Sequence, residues 1–250
     1  MIIIGAGMAG LTAGIYVARA GKSVLVLESS VTGGQIVNTL VVDNWPGMPG
    51  VSGSELMKKI RSQVEELGAV IKYEEIVKVA EDDGSFKVTT DESKYECGAV
   101  IIATGTEPRK LSEAQEKDAG ERAISYCATC DGALFRGKPV VVVGSGNTAK
   151  NEIAYLENIA SSVYHIHHDE PIPEDAVAVF VAIGRIPKTK FLQGFVELDP
   201  EGYVKAGEDC KTNVSGVFVA GDCRTKGVRQ LVTAASDGAV AALAAVKYLG

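Results

Sequence analysis

Several functional classes need features that this 250-residue sequence lacks. Its 25 lysines and arginines are outnumbered by 32 aspartates and glutamates, for a formal net charge of −7. There is no basic stripe to meet a phosphate backbone, so no nucleic-acid partner is expected, and an anionic membrane surface is disfavoured on the same ground. No run of 18 or more apolar residues occurs, and no bilayer-spanning segment is expected. The N-terminus, MIIIGAGMAGLTAG, lacks the basic flank of a secretory signal, which makes the expected location cytoplasmic. Cysteine is sparse and odd in number, at 5, which does not support a secreted disulfide scaffold.

Two of the cysteines, Cys127 and Cys130, lie in SYCATCDG (125–132), with Asp131 directly after. Such a C-x-x-C pair can be a redox dithiol, half of a zinc site, or two unrelated core residues. Structural zinc needs four ligands, from two such pairs or from a pair with closely spaced histidines. There is no second pair, and the only histidines, His165, His167 and His168, begin 35 residues after Cys130. No metal is expected on that count, though spacing alone leaves all three readings open. Cys97, Cys210 and Cys223 have no such spacing and read as small buried residues.

What is present is a repeated pattern. Hydrophobic residues make up 46% and charged residues 23%, ordinary for a globular chain. MIIIGAG reads as a short buried strand entering a glycine turn, residues 9–20 as a helix stopped by Gly21, and SVLVLE (23–28) as the next strand. That is the front of a parallel βαβ unit. Residues 53–67 predict an amphipathic helix, with Ser54 available as its cap and Gly68 at its end. Short strands follow in AVIKYEEIVKVA, SFKVTT and KYECGAVIIATG. The pattern restarts at PVVVVGSGNTAKNEIAYLENIA (139–160), and SSVYHIH, AVAVFVAIG and VSGVFVAGD are further strands before a last helix near Gln230.

The two glycine turns carry chemistry. Gly5-Ala6-Gly7-Met8-Ala9-Gly10 fits G-x-G-x-x-G between strand and helix. Gly5 permits the tight turn, Gly7 lets backbone approach a pyrophosphate, and Gly10 permits close helix–strand packing. The pyrophosphate would sit on the helix N-terminus. Glu28 closes the next strand, where an acid would hydrogen-bond a ribose hydroxyl. The second turn, Gly144-Ser145-Gly146-Asn147-Thr148-Ala149, fits the G-x-G-x-x-A variant. An NADPH site would want arginines at the end of its second strand and an NADH site a carboxylate. The sequence there, His165-Ile166-His167-His168-Asp169, meets neither demand well.

Nine stretches, in order, resemble the low-molecular-weight, bacterial-type thioredoxin reductases of the flavin disulfide reductase superfamily: GAGMAG, GGQI, DNWPG, IIATG, CATCDG, GSGNTA, FVAIGRIP, GVFVAGDC and RQLVTAASDG. The resemblance covers nearly the whole chain. It implies an α/β fold of two Rossmann-like nucleotide-binding domains, the second inserted in the first and shortened. Residues 1–112 and 200–250 would form an FAD domain, and 113–199 a pyridine-nucleotide-type domain carrying CATC. FAD would lie on the first turn, with Glu28 on the adenosine ribose. Gly33, Gly34, Gln35 and Asn44 would lie along the flavin side, and Ala103, Thr104 and Gly105 would cross the chain. Gly221 and Asp222 would hold the ribityl–phosphate region, and Arg229, Gln230 and Leu231 would begin a helix whose N-terminus faces the isoalloxazine. Trp45 reads as a packing anchor beside the flavin segment. By the same resemblance, Cys127–Cys130 accepts two electrons from reduced FAD and passes them to thioredoxin or a thioredoxin-like protein by thiolate exchange. The resemblance also implies that Asp131 manages the proton and that the protein forms a homodimer.

The middle of the chain departs from that family. Only PIPEDAVA separates Glu170 from the returning strand, and the family's H-R-R-x-x-x-R phosphate grip has no counterpart, because His168 and Asp169 hold the arginine positions. Three readings stay open: a donor other than NADPH, such as a ferredoxin; a chain shortened from an NADPH-binding parent; or weak NAD(P)H binding through Gly144–Ala149 alone. Two further alternatives are a ferredoxin–NADP reductase-like flavoenzyme and a non-catalytic flavin-binding scaffold. The trio Cys127, Cys130 and Asp131 speaks against both, since neither needs it.

Overall fold

Apolar runs without polar alternation require cover on both faces, and that requirement organises the sheet of the first half. The runs III, LVLE, VII and VFV become strands Ile2–Ile4, Leu25–Glu28, Val100–Ile102 and Val217–Val219. With Val70–Tyr73 they form one parallel sheet in the order Val217–Val219, Val100–Ile102, Ile2–Ile4, Leu25–Glu28, Val70–Tyr73. The first strand lies in the middle and the chain winds outward to both sides, as in doubly wound nucleotide folds. Ile3, Val26, Ile101 and Phe218 join a core beneath helices Met8–Arg19 and Leu231–Leu249. Their neighbours Ile2, Ile4, Leu27, Val100, Ile102, Val217 and Val219 form a second core with Val79, Phe86 and Val88. Those three come from an antiparallel meander, Ile76–Asp82, Ser85–Thr90 and Lys94–Cys97.

This computed structural model describes residues 1–250 and divides into two compact units, Met1–Thr106 with Pro187–Gly250, and Glu107–Ile186. The breaks differ from the sequence-based boundaries after residues 112 and 199. Leu192 and Val196 are buried in the core around Phe86, and Phe195 meets the Phe86 ring edge-on at 6.4 Å, so residues 187–199 belong to the first unit. Leu111 is buried in a core of the second unit. The amphipathic helix runs Gly53–Glu66, and its cap is Ser52, whose Oγ accepts from the Glu55 N–H at 3.2 Å, rather than Ser54.

Helix Leu231–Leu249 is long and apolar enough to cross a bilayer by length and composition. One face of it packs into the core: Ala241, Ala242 and Ala245 are fully buried, and a Cβ at Gly238 would strike the Ala9 carbonyl. Beside Gly238, the buried Asp237 carboxylate accepts from Arg224 Nε (2.9 Å) and Nη2 (2.8 Å), from Lys226 Nζ (2.7 Å) and from the Gly221 N–H (2.9 Å). The network ties the turn after Val217–Val219 to the last helix.

The second unit holds a four-stranded parallel sheet in the order Ser162–Ile166, Pro139–Val143, Ala178–Val181, Ala123–Ser125. Val140, Val142, Ala178 and Phe180 face Ala128, Ala149 and Leu156 on one side, while Val141, Val143, Val179 and Val181 face Leu111, Ala119 and Ile172 on the other. A helix unforeseen in the sequence, Glu113–Ala119, is capped by Ser112. The crossover through residues 167–177 has no helix, at the short limit for joining parallel strands. Side chains satisfy its backbone instead: Asp118 Oδ2 accepts from the Ile172 N–H at 2.6 Å, Arg122 donates to the Ala176 and Glu174 carbonyls, and Gln115 donates to the Glu170 carbonyl.

Removing the Asp237 carboxylate leaves the buried Arg224 only the solvent-exposed Glu208, 3.4 Å from Nη2, as counter-charge. Asp237→Ala is therefore expected to cost about 3–5 kcal/mol in denaturant unfolding. Burial alone would raise the Asp237 pKa, but hydrogen bonds and charge from Arg224 and Lys226 hold it below the ordinary carboxylate value. Its stabilisation is thus complete above the unfolded-state pKa and lost as pH falls through the folded one. Wild type is expected to lose stability on acidification more steeply than Asp237→Asn.

Candidate active site

The first glycine turn is shaped by backbone contact. A Cβ at Gly5 (φ +105°) would collide with the Ala103 carbonyl, and one at Gly10 with the Gly5 carbonyl, whereas a Cβ at Gly7 would meet nothing within 4 Å. Gly7 is the N-cap of helix Met8–Arg19 and offers no side-chain cap, and no acidic residue lies in the first turn. The helix's first N–H groups are therefore left without a side-chain cap or a nearby acid, a natural place for an anion. Gly105 is equally open, with nothing within 4 Å of a built Cβ.

Of the other sequence-predicted residues of the first unit, Glu28, Gly33 and Gly221 touch this turn, and several of the rest touch one another. Glu28 Oε2 accepts from the Ala6 N–H at 2.8 Å and Oε1 from the Ser30 N–H at 3.0 Å, leaving lone pairs for a further donor. The Gly33 N–H donates to the Ala6 carbonyl at 2.8 Å, and Gly33 pairs with Gly7 as an isolated parallel bridge. Gln35 donates to the Thr106 carbonyl, next along the chain from Thr104 and Gly105. Asn44 Nδ2 donates to Gln230 Oε1 at 3.1 Å, bringing two predicted flavin-side residues together. Gly221 approaches Ala9 so closely that a Cβ would lie 2.9 Å from the alanine methyl. Arg229 plays a structural part. Its guanidinium donates to the carbonyls of Asp222, Lys226 and Arg224 and stacks 4.3 Å from the Tyr203 ring centre. Leu231 opens the last helix behind a capping box of Gln230 and Thr233. Trp45 packs against the core below.

In the second unit Cys127 and Cys130 form a disulfide with Cα atoms 5.3 Å apart. Cys127 is the N-cap of a short helix, Ala128–Asp131, and its carbonyl accepts from the N–H groups of Cys130 and Asp131, each at 3.1 Å. Ser125, which drew no attention in the sequence, organises the turn. Its Oγ accepts from the Cys127 N–H at 3.2 Å and donates to Asp131 Oδ2 at 2.6 Å, fixing Asp131 beside the cysteine pair. Its only sequence signal is a small hydroxyl two residues before the first cysteine. The remaining thiols are free: Cys210 and Cys223 are fully buried and Cys97 partly so. Burial pushes all three up, Cys210 to about 12, so none is an easy thiolate.

The second glycine turn repeats the first. Gly146 caps helix Asn147–Leu156 without a side-chain bond, no acid lies in its first turn, and a Cβ there would meet nothing within 4 Å. Gly144 abuts the Ala182 carbonyl, and Ala149 is buried beneath the helix. A cleft of about 560 Å³ opens over this turn, lined by Gly144, Gly146, Thr148 and His168, with Arg109 and Lys110 at its edge. Those two cations were not predicted. They lie far in sequence from the strand end where a phosphate grip was sought. At that strand end, His168 Nδ1 lies 2.8 Å from Asp169 Oδ2, and His165 Nε2 lies 2.6 Å from the Gly144 carbonyl.

Known proteins match this arrangement throughout. The pyridine nucleotide-disulphide oxidoreductase family matches residues 1–174 and 169–238, two segments that meet inside the short crossover. Thioredoxin reductase of Listeria monocytogenes serovar 1/2a is 37% identical over 298 aligned positions, covering 100% of this chain and 93% of that protein. The alignment is longer than the chain, so the missing length is internal. Among solved structures, thioredoxin reductase from Giardia duodenalis superposes with a TM-score of 0.91 at 32% identity, covering 99% of this chain and 97% of the other. That from Streptococcus pyogenes MGAS5005 gives 0.90 at 30%, with the same coverage. With two glycine turns on parallel sheets, a disulfide in the second unit and these likenesses over its full length, the chain belongs to the pyridine nucleotide-disulphide oxidoreductase family.

Proposed function

We propose that this protein is an FAD-dependent thioredoxin reductase that passes two electrons through the Cys127–Cys130 pair to thioredoxin or a thioredoxin-like protein. The observation that carries the reading is the disulfide with Asp131 held beside it by Ser125, in a chain that also bears the uncapped, open turn at Gly7. When bound, FAD supplies a two-electron store between the donor and the disulfide. The residues that would hold it are Gly5, Gly7, Ala9 and Gly10 with Glu28, the Gly33–Gln35 segment, Asn44, Ala103–Gly105, Gly221–Asp222 and the helix start at Gln230–Leu231. Arg229 supports that helix start through its carbonyl contacts. Reduction opens the disulfide to a thiol and a thiolate. The thiolate attacks the partner disulfide, and Asp131 moves the proton that the exchange requires.

The cleft over Gly144–Ala149 is the place for a pyridine nucleotide, and Arg109 and Lys110 give it positive character. The carboxylate of Asp169 beside His168 opposes a 2′-phosphate and favours a second reading, in which NADH or a reduced ferredoxin is the donor. A homodimer in the cytoplasm is part of the same proposal, and sedimentation would check the assembly.

Three outcomes test the proposal. Cys127→Ser or Cys130→Ser is expected to abolish thioredoxin reduction while leaving flavin bound. Asp131→Asn is expected to slow it about 10²–10⁴-fold, with the loss reading on turnover rather than on thioredoxin affinity. Gly7→Val, whose Cβ meets no protein atom within 4 Å, is expected to fold but to purify without the visible flavin absorbance. Anaerobic titration with NADPH, NADH and reduced ferredoxin in separate cells identifies the donor as the one that bleaches the flavin.

A further inference from the structure

Helix Asn147–Leu156 lies against the redox turn. Ala149 and Leu156 share a core with Ala128, and a Cβ on Gly132 would come within 3.0 Å of Leu156 and 3.3 Å of Tyr155. On the same helix is Glu152, one turn beyond the second glycine motif and assigned no part in it. Its carboxylate faces the N–H of Ala128, the residue directly after Cys127. Its other oxygen, Oε2, is buried with no hydrogen-bond partner. An acceptor-only oxygen out of water is costly when ionised, and a proton placed on it removes that cost. Burial pushes Glu152 up to about 7, against the opposing pull of the Ala128 N–H and the Arg185 charge.

We propose that Glu152 is the proton store of the redox turn, taking up a proton when the Cys127–Cys130 disulfide is reduced and giving it back when the dithiol is oxidised. The inference rests on the pair being redox-active. The disulfide is neutral; two electrons from the reduced flavin and one proton from solvent convert it to one thiolate and one thiol. The thiolate adds a negative charge beside Ala128, where an ionised Glu152 would repel it, so a second proton binds the carboxylate. In all, two electrons and two protons are taken up. On transfer to a partner disulfide, the thiolate is consumed and Glu152 is again free to ionise. The charged groups facing this site are few: Arg185 from the strand beyond, and Asp131, tied to Ser125, from the turn itself. The central strands beneath the helix bring the apolar Val140, Val142, Ala178 and Phe180, while the outer strands place His165 level with Val142 and Ser125 level with Phe180. Acting through the Ala128 N–H rather than on sulfur, Glu152 is a positioning residue.

The test is reduced-minus-oxidised infrared difference spectroscopy on the holoenzyme, with dithiothreitol as reductant. Dithiothreitol opens the disulfide whatever the physiological donor or partner is, so this test can fail independently of the proposed function. Near pH 8, where Glu152 is mostly ionised in the disulfide form, reduction is expected to produce a protonated-carboxyl C=O band. The band should shift when the protein carries ¹³C-glutamate, stay when it carries ¹³C-aspartate, and vanish in Glu152→Gln. Wild type alone decides the matter if the variant fails to fold: no band, or one that follows ¹³C-aspartate, overturns the proposal. In Glu152→Gln the reduced pair is also expected to be alkylated by iodoacetamide about three- to tenfold faster at pH 7, mapped by mass spectrometry to Cys127 and Cys130. That is the effect of up to one unit of thiol pKa. An alkylation profile superimposable on wild type from pH 6 to pH 9 overturns the coupling.

Discussion

The Asp237 carboxylate is shared among the Gly221 N–H, the Arg224 guanidinium and the Lys226 ammonium, all largely out of water. A buried ion group of this kind adds little net stability over apolar packing, but losing one member strands the others. Its value here is positional. Gly221 and Asp222 leave the end of strand Val217–Val219, while Gln230 and Leu231 open the last helix, and Asp237 lies one and a half turns into that helix. One carboxylate thus sets the distance between the two segments that the cofactor would touch. Arg229, spread over three carbonyls, closes the loop between them.

Around that anchor, the site is made chiefly of main chain. Ala103 carbonyl against Gly5, Gly5 carbonyl against Gly10, and Ala9 carbonyl against Gly238 are contacts that no side chain can enter. They bring two strand ends and two helices into direct backbone contact. The second unit uses the same device at Gly144 and Ala182. Where glycine is not forced by a neighbour, at Gly7 and Gly146, the space above it is open, and these are the positions where a phosphate would lie.

Features set by neighbours in sequence were legible in advance. Strand, glycine turn and helix at both turns follow from local pattern, as does the end of the strand at Glu28. The cysteine pair was legible as chemistry once its surroundings were read with it. Interactions joined only by folding were not. Arg224 and Asp237 are 13 residues apart on different elements, and Ser125 reads as an ordinary strand end until Asp131 turns back to it. The choice of Ser52 over Ser54 as cap depends on where the Thr39 carbonyl meets the Gly53 N–H, a contact no propensity encodes. The boundary of the second unit was misplaced because Leu192 and Val196 are apolar in any setting, and only the fold shows which core they fill. The same holds for the crossover at 167–177, whose shortness was plain in the sequence while the side chains of Gln115, Asp118 and Arg122 that make it tolerable were not.

The central sheet of the first unit is completed by a strand that the ribosome makes late. Val100–Ile102 pairs with Ile2–Ile4 on one side, but its other edge stays unpaired until Val217–Val219 has emerged, after the whole of residues 107–186. The second unit is continuous in sequence and needs no later residue to close its own sheet. During synthesis, therefore, the inserted unit can finish folding while its host still exposes a strand edge and the apolar face meant for the last helix. Contacts of such long sequence separation form slowly, and an open edge invites pairing with other chains. The interruption that gives the cysteine pair its own small unit also makes the nascent first unit the part of this protein most in need of shelter.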